Sequence, residues 1–513
     1  MWKAIRKGKE TPLVEKQVSL PTMREETGFA VRADYLAGTG DSGTSSRDDE
    51  GQATLFSCVV NLANTIIGAG MLGLPGALGG TGYLGGSLLM VAGASFSAHG
   101  LVLLTKAAQQ AGLPSSFYTV ARAAVPNYTI LIDLAVALKC FGVATGYLIT
   151  MGDCMVKAFD HILLNGDPEN DESFMVSTLL SRRFWVFVGF LFVLPTAFYK
   201  TLDELKKTSA LALIFVFLLA VGIVAYAQGM ADPCLGFHDE ECRGDIVPFT
   251  DPSSTLSKLP IFIFAFTCHQ NIFPLVNEIR NRTQFRLNIV VFAAIGFAFF
   301  VFMIVALEGY RTYGSNVKGD ITLNYPETGN VTFLRICIAF MLALHYPLQL
   351  DPSRRCIVSL IMVTTEWWHR KFGTEHNNRT NEPSEISKVM HGIKHKGYDT
   401  GCTVEEIEME SSHVNASTTP KTEESNVANS SSVFYAVTIM FLFISLQTAM
   451  IVDDLGMVLA VVGATGSTLV TYVLPGLIYV KIHKQMDASK ICAYVQLYMG
   501  CLIIPVSLWV LFM

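Results

Sequence analysis

The chain alternates long apolar blocks with polar spacers. Apolar blocks run at about 54–78, 82–107, 129–163, 184–199, 208–228, 256–276, 287–307, 331–350, 433–450, 455–480 and 491–513. A helix needs roughly 20 apolar residues to cross the hydrocarbon core of a bilayer. The pattern therefore predicts an all-α integral membrane protein with about eleven transmembrane helices. Two polar stretches stand apart. Residues 1–53 carry Gly/Ser/Thr-rich and charged runs and read as a disordered cytosolic tail. Residues 366–430 are polar and Ser/Thr-rich, and read as a regulatory or flexible loop.

Composition agrees with the pattern. Apolar residues make up 51% of the 513, charged residues 16%, and mean hydropathy is +0.41. That is too little charge to cover a soluble protein of this length, so lipid is the expected solvent and the membrane the first partner. A net charge of -6 argues against nucleic acid. Nothing in the chain suggests a Walker loop, a metal-ligand cluster or a Ser-His-Asp spacing, so the expectation is a non-enzyme without cofactor or metal. Lysine and arginine collect in the spacers after even-numbered blocks, as Lys106 and Arg122, Lys200, Lys206 and Lys207, Arg280, Arg282 and Arg286, Arg354 and Arg355, and Lys481 and Lys484. The positive-inside rule makes those spacers and the N-terminus cytosolic, with Arg182 and Arg183 a local exception. Cys234 and Cys242 then fall in an extracytosolic loop where oxidation is allowed; a disulfide is expected there, against two free thiols.

Two blocks are poor choices for an unbroken lipid-facing helix. The first contains Asn61, Asn64, Thr65, Ile67, Gly68, Ala69, Gly70 and Pro75; the sixth contains Phe266, Thr267, Cys268, His269, Gln270, Asn271 and Pro274. Small residues in the first block alone suit close helix packing. A second polar interruption five spans later points instead to paired broken helices, the mark of an inverted repeat with its site at the midplane. Exposed half-helix N-termini attract a carboxylate and freed carbonyls an ammonium group, so a zwitterionic amino acid matches both. His269 has the strongest functional claim within the second break, its rival role being a packed histidine bonded to backbone.

Asn64-Thr-Ile-Ile-Gly68-Ala-Gly70-Met-Leu-Gly-Leu-Pro75 resembles the first-helix motif of the amino acid/auxin permease family. That family includes sodium-coupled neutral amino acid transporters and fungal vacuolar amino acid transporters. Lys139-Cys-Phe-Gly142, Gly152-Asp153, Phe266-Thr267-Cys268-His269-Gln270-Asn271, Tyr346-Pro-Leu-Gln349 and Val462-Gly463-Ala464-Thr465-Gly466-Ser467 look most like the vacuolar branch. The resemblance runs from the first span through the tenth. It implies a LeuT-like five-plus-five inverted repeat with one extra helix, moving amino acids by alternating access. The halves are expected at 54–230 and 256–480, with an extracytosolic loop at 231–255 and the final helix at 481–513. The residues named in the two breaks would line the substrate site. A vacuolar or lysosomal membrane is favoured by the branch, with the plasma membrane the other option.

The coupling ion is the point of departure. Sodium-coupled relatives are expected to pair the first-helix asparagine, here Asn64, with a hydroxyl on the eighth helix. Residues 340–346 here hold no serine or threonine, and a hard cation wants oxygen ligands. His345 offers a group that titrates near neutral pH, so the proton is expected rather than sodium. Lys139 either supplies a fixed positive charge where a cation otherwise binds or pairs with a carboxylate in the bundle; Asp133, six residues away, is off its helical face. Asp153 is expected near the extracytosolic helix end. The competing classes are a non-transporting amino acid sensor of the same fold and a passive channel, which discrete polar breaks disfavour.

Overall fold

The computed structural model describes residues 51, 53–68, 70–164, 174–198, 206–235, 242–372 and 421–513. The predicted N-terminal tail and the middle of the long polar loop lie outside them. Among the described residues the chain is helical, with no strand beyond a single bridge between Ala53 and Ile279.

The first span is two helices, α1 (Leu55–Ile66) and α2 (Gly70–Gly79), which meet at a 50° bend. The helix α3 (Tyr83–Ala111) runs to a short α4 (Phe117–Ala124), which leads into the third span, α5 (Thr129–Leu164). After α6 (Phe174–Leu179), the fourth and fifth spans are α7 (Arg182–Ala197) and α8 (Lys206–Ala227). The sixth is again two pieces, α9 (Pro252–Ala265) and α10 (Ile272–Glu278), joined by a tight turn at His269–Asn271. The seventh to ninth are α11 (Gln284–Tyr313), α12 (Gly329–Phe372) and α13 (Lys421–Ile451). In the tenth, α14 (Leu455–Val462) and α15 (Leu474–Ile482) flank two wide π turns at Gly463–Ser467 and Leu469–Val473; α16 (Ala488–Phe512) is the last. Among the described residues eight of these spans have the length and apolarity to cross a bilayer, the bent pair α1–α2 makes a ninth, and α7 and the apolar part of α8 (Leu211–Ala227) are shorter. The eleven predicted apolar blocks are thus helices.

Local chemistry sets the ends. The Thr54, Asp251, Thr283 and Asp487 side chains accept the Ser57, Ser254, Arg286 and Lys490 amides that open α1, α9, α11 and α16. The third and eighth spans, α5 and α12, pack along much of their length and form the spine, while the first span lies against the seventh. The eighth helix runs well past the apolar block that ends at Leu350. Its next turn carries charge that is paired inside the protein: Asp351 accepts from Arg354 at 2.7 Å and Arg355 at 2.9 Å, and Arg354 lies over the Phe434 ring. The arginine pair at 182–183 has a similar explanation, because Arg182 reaches Asp153 at 2.6 Å and Asp453 at 2.8 Å and ties α5 and α7 to the α13–α14 turn.

Both ends of the central path are closed. At one end, the loop after α11 wedges between the first and tenth spans, and Gly76 is the residue that admits it: a Cβ there would collide with the Lys318 carbonyl. At the other end, the Ala53 N–H donates to Glu278 O (2.8 Å) and the Arg280 N–H to Ala53 O (2.9 Å), strapping the chain before α1 to the end of α10. In the loop before α9, Cys234 and Cys242 form a disulfide. Peptide maps run with and without reductant are expected to differ at this loop, and labelling of both cysteines by a thiol reagent in the native protein would contradict the bridge.

Candidate functional site

The two breaks meet in the middle of the bundle. A Cβ on Gly70 would sit 3.0 Å from the Ala265 Cα and 3.3 Å from the Phe264 ring, so the start of α2 rests on the end of α9. The Asn271 amide donates to Thr65 Oγ1 (3.2 Å), which itself donates to Asn61 O (2.9 Å). In α1 the last helical bond is Ile67 N–H to Ala63 O (2.9 Å); the helix resumes at Gly70. Two residues that sequence reasoning did not assign complete this face. The Tyr147 hydroxyl from α5 lies where a Gly68 side chain would be, 2.7 Å from its built Cβ. Gln349, one turn beyond His345 on α12, is within hydrogen-bonding reach of the same hydroxyl. Their signal in the sequence was the i, i+4 spacing of His345 and Gln349, which puts two polar groups on one face of an apolar helix.

His345 sits against the first break. Its Nδ1 is 2.8 Å from Met341 O, and its Nε2 is 3.1 Å from Asn64 O and 3.0 Å from Asn64 Oδ1. His345 and Asn64 are each 1% exposed. The expected partner of Asn64 on the eighth helix is therefore present, and it is an imidazole.

Lys139 is buried on α5, 2% exposed, and its Nζ donates to Gln349 Oε1 at 3.3 Å. The same oxygen accepts from Gln270 Nε2 at 3.4 Å. Lys139 forms no ion pair among the described residues. Asp351, two positions past Gln349, is held by Arg354 and Arg355, and Asp133 lies against Cys356. A charged group at such depth costs roughly 2.5–3.5 kcal/mol on insertion scales, so an uncompensated ammonium is a site feature to be explained.

His269 occupies the back of the second break. Its Nε2 faces Gly100 of α3, and its Nδ1 is 3.5 Å from the Thr471 hydroxyl on the π turn of the tenth span. Thr471 also meets Thr267 at 3.0 Å, and Gln496 of α16 donates to its carbonyl at 2.8 Å. Ser97 Oγ donates to Phe266 O at 2.7 Å. The break of the sixth span is thus braced by α3, the tenth span and α16, and His269 belongs to that bracing. Cys268 is fully buried, near Lys139. Ala69 lies outside the described residues.

Paired broken helices around a buried polar centre, closed at both ends, define a membrane transporter of the inverted-repeat class. The chain belongs to the transmembrane amino acid transporter protein family, whose model matches residues 51–513. It is 31% identical over 435 residues to vacuolar amino acid transporter 5 of Schizosaccharomyces pombe, covering 84% of each chain. It is 30% identical over 436 residues to vacuolar amino acid transporter 6 of Saccharomyces cerevisiae, covering 84% of this chain and 90% of that protein. The fold is similar to that of Mhp1, a nucleobase-cation-symport-1 family transporter solved in a closed conformation, with a TM-score of 0.50 at 11% identity over 92% of this chain and 96% of the other.

Proposed function

We propose that this protein is a proton-coupled secondary active transporter of neutral or broad-range amino acids, working by alternating access in a vacuolar or lysosomal membrane. The observation that carries the coupling is the contact of His345 with Asn64. Backbone carbonyls only accept hydrogen bonds, and both nitrogens of His345 face one: Met341 O and Asn64 O. A protonated ring donates to both, whereas a neutral ring turns a lone pair toward one of them. The Asn64 side chain adapts to either state, accepting through Oδ1 from the charged ring or presenting its NH₂ to the neutral one. Proton binding at His345 thereby tightens the eighth span onto the broken first span, which is the coupling a symporter needs.

The substrate backbone is placed at the meeting of the breaks. Its carboxylate faces the N-terminus of α2 and the Tyr147 hydroxyl beside Gly68. Its ammonium group meets carbonyls freed at the two breaks. The vacuolar placement is supported by the names of the relatives, and an acidic lumen supplies the proton gradient. The test is uptake of an amino acid panel into proteoliposomes under an imposed proton or sodium gradient. Flux driven by the pH gradient in sodium-free buffer is the expected result. Flux that follows sodium alone would replace the coupling ion, and binding without net flux would make the protein a sensor.

A further inference from the structure

We propose that Lys139 sets selectivity by side-chain charge, receiving the side-chain carboxylate of an acidic amino acid and repelling basic ones. The proposal rests on the transporter reading above and, within it, takes the broad-range alternative over the neutral one, adding a preference for acidic side chains.

Among the described residues the Lys139 ammonium, with three donors, has one hydrogen-bond acceptor, the neutral amide oxygen of Gln349. That oxygen is shared with Gln270, whose own Oε1 is buried without a hydrogen-bond partner. The cluster therefore holds a cation without a counter-ion beside an unsatisfied amide. Its acids are spoken for: Asp351 by two arginines, with Asp133 lying at Cys356 on the cytosolic side. Burying a cation this way is unfavourable unless an anion joins it, and a substrate is the natural source of one.

Geometry places the ammonium where a side chain would arrive. Tyr147 and Lys139 are on the same helix, and Gln349 stands between the Tyr147 hydroxyl and Lys139 Nζ. Lys139 is also within electrostatic reach of Cys268 and His269, in the break of the sixth span. A substrate held by its backbone at Gly68 and Tyr147 points its side chain past Gln349 toward Lys139. A carboxylate there exchanges the weak Lys139–Gln349 bond for a charge-assisted one and frees Gln349 for Gln270. Gly466 holds the lysine stem in place, because a Cβ on Gly466 would come within 2.6 Å of the Lys139 Cβ. A basic side chain meets an ammonium in a site that excludes water, where like charges repel most.

The experiment uses the full chain, purified and reconstituted, with two readouts. In wild type, glutamate, glutamine, leucine and free lysine compete against labelled leucine uptake, and ligand-induced thermal stabilisation reports binding without transport. Glutamate is expected to bind more tightly than its isostere glutamine, and lysine most weakly. In Lys139→Gln the ratio of glutamate to glutamine affinity is expected to fall at least roughly tenfold, the weight of a charge-assisted contact, while Lys139→Arg retains the preference for glutamate over glutamine. A wild type that does not discriminate glutamate from lysine overturns the proposal, whatever the mutants do. Equal loss for all ligands in Lys139→Gln also overturns it, since that is a structural role. Binding that shows the charge preference without any flux supports Lys139 as assigned and rejects the transport reading alone.

Discussion

His345→Ala is expected to uncouple transport from the pH gradient. Wild-type protein in sodium-free proteoliposomes is expected to accumulate amino acid when a pH gradient is imposed and to stop when the gradient is collapsed. In the variant the gradient no longer drives accumulation, while exchange of amino acid across the membrane at equal pH persists at a reduced rate. The physical reason is local. The two nitrogens of His345 bridge the eighth helix, through Met341 O, to the first break, through Asn64 O. Removing the ring leaves Asn64 without its partner on α12 and removes the proton's two acceptor-faced seats together. His345→Gln separates charge from shape: an amide bonds Asn64 but takes up no proton at working pH, so the variant is expected to bind substrate and remain uncoupled. Proton-driven accumulation that survives in both variants would move the coupling site away from His345. Accumulation that follows sodium in the wild type would end proton coupling itself.

Gly70→Val and Gly68→Val are expected to abolish transport by different routes. At Gly70 the added Cβ meets backbone, the Ala265 Cα at 3.0 Å, so the two half-helices cannot keep their contact. Overpacking of this kind costs about 1–3 kcal/mol, enough to displace a break without unfolding eleven helices. At Gly68 the obstacle is the Tyr147 hydroxyl, 2.7 Å away. Valine there pushes the tyrosine aside and fills the space where the substrate carboxylate is placed. Expression and thermal stability close to wild type with flux reduced at least roughly tenfold, about 1.4 kcal/mol on the transported complex, is the expected pattern. Substrate binding unchanged in both glycine variants would take the first break out of the site.

Some of this protein was settled by order along the chain. Apolar blocks of bilayer length specify helices because no other open backbone arrangement satisfies its hydrogen bonds in lipid. Asn64, Gly68 and Gly70 in one block, and Thr267 to Asn271 in another five spans on, mark where two helices interrupt, because those residues tolerate or reward a broken ladder. Lys139 and His345 stood out as ionisable residues inside apolar helices. What the order could not decide was which of them face each other. That depends on rotation about each helix axis and on contacts between residues 200 or more positions apart. Only packing put His345, rather than His269, against Asn64, and set Gln349 between Tyr147 and Lys139. It also turned His269 toward Gly100 and Thr471, where a glycine on α3 leaves room for the ring. The eighth helix continued past Leu350 for the same reason: Asp351 pairs with both Arg354 and Arg355 only once they share a helical face, which a count of charges along the chain does not show.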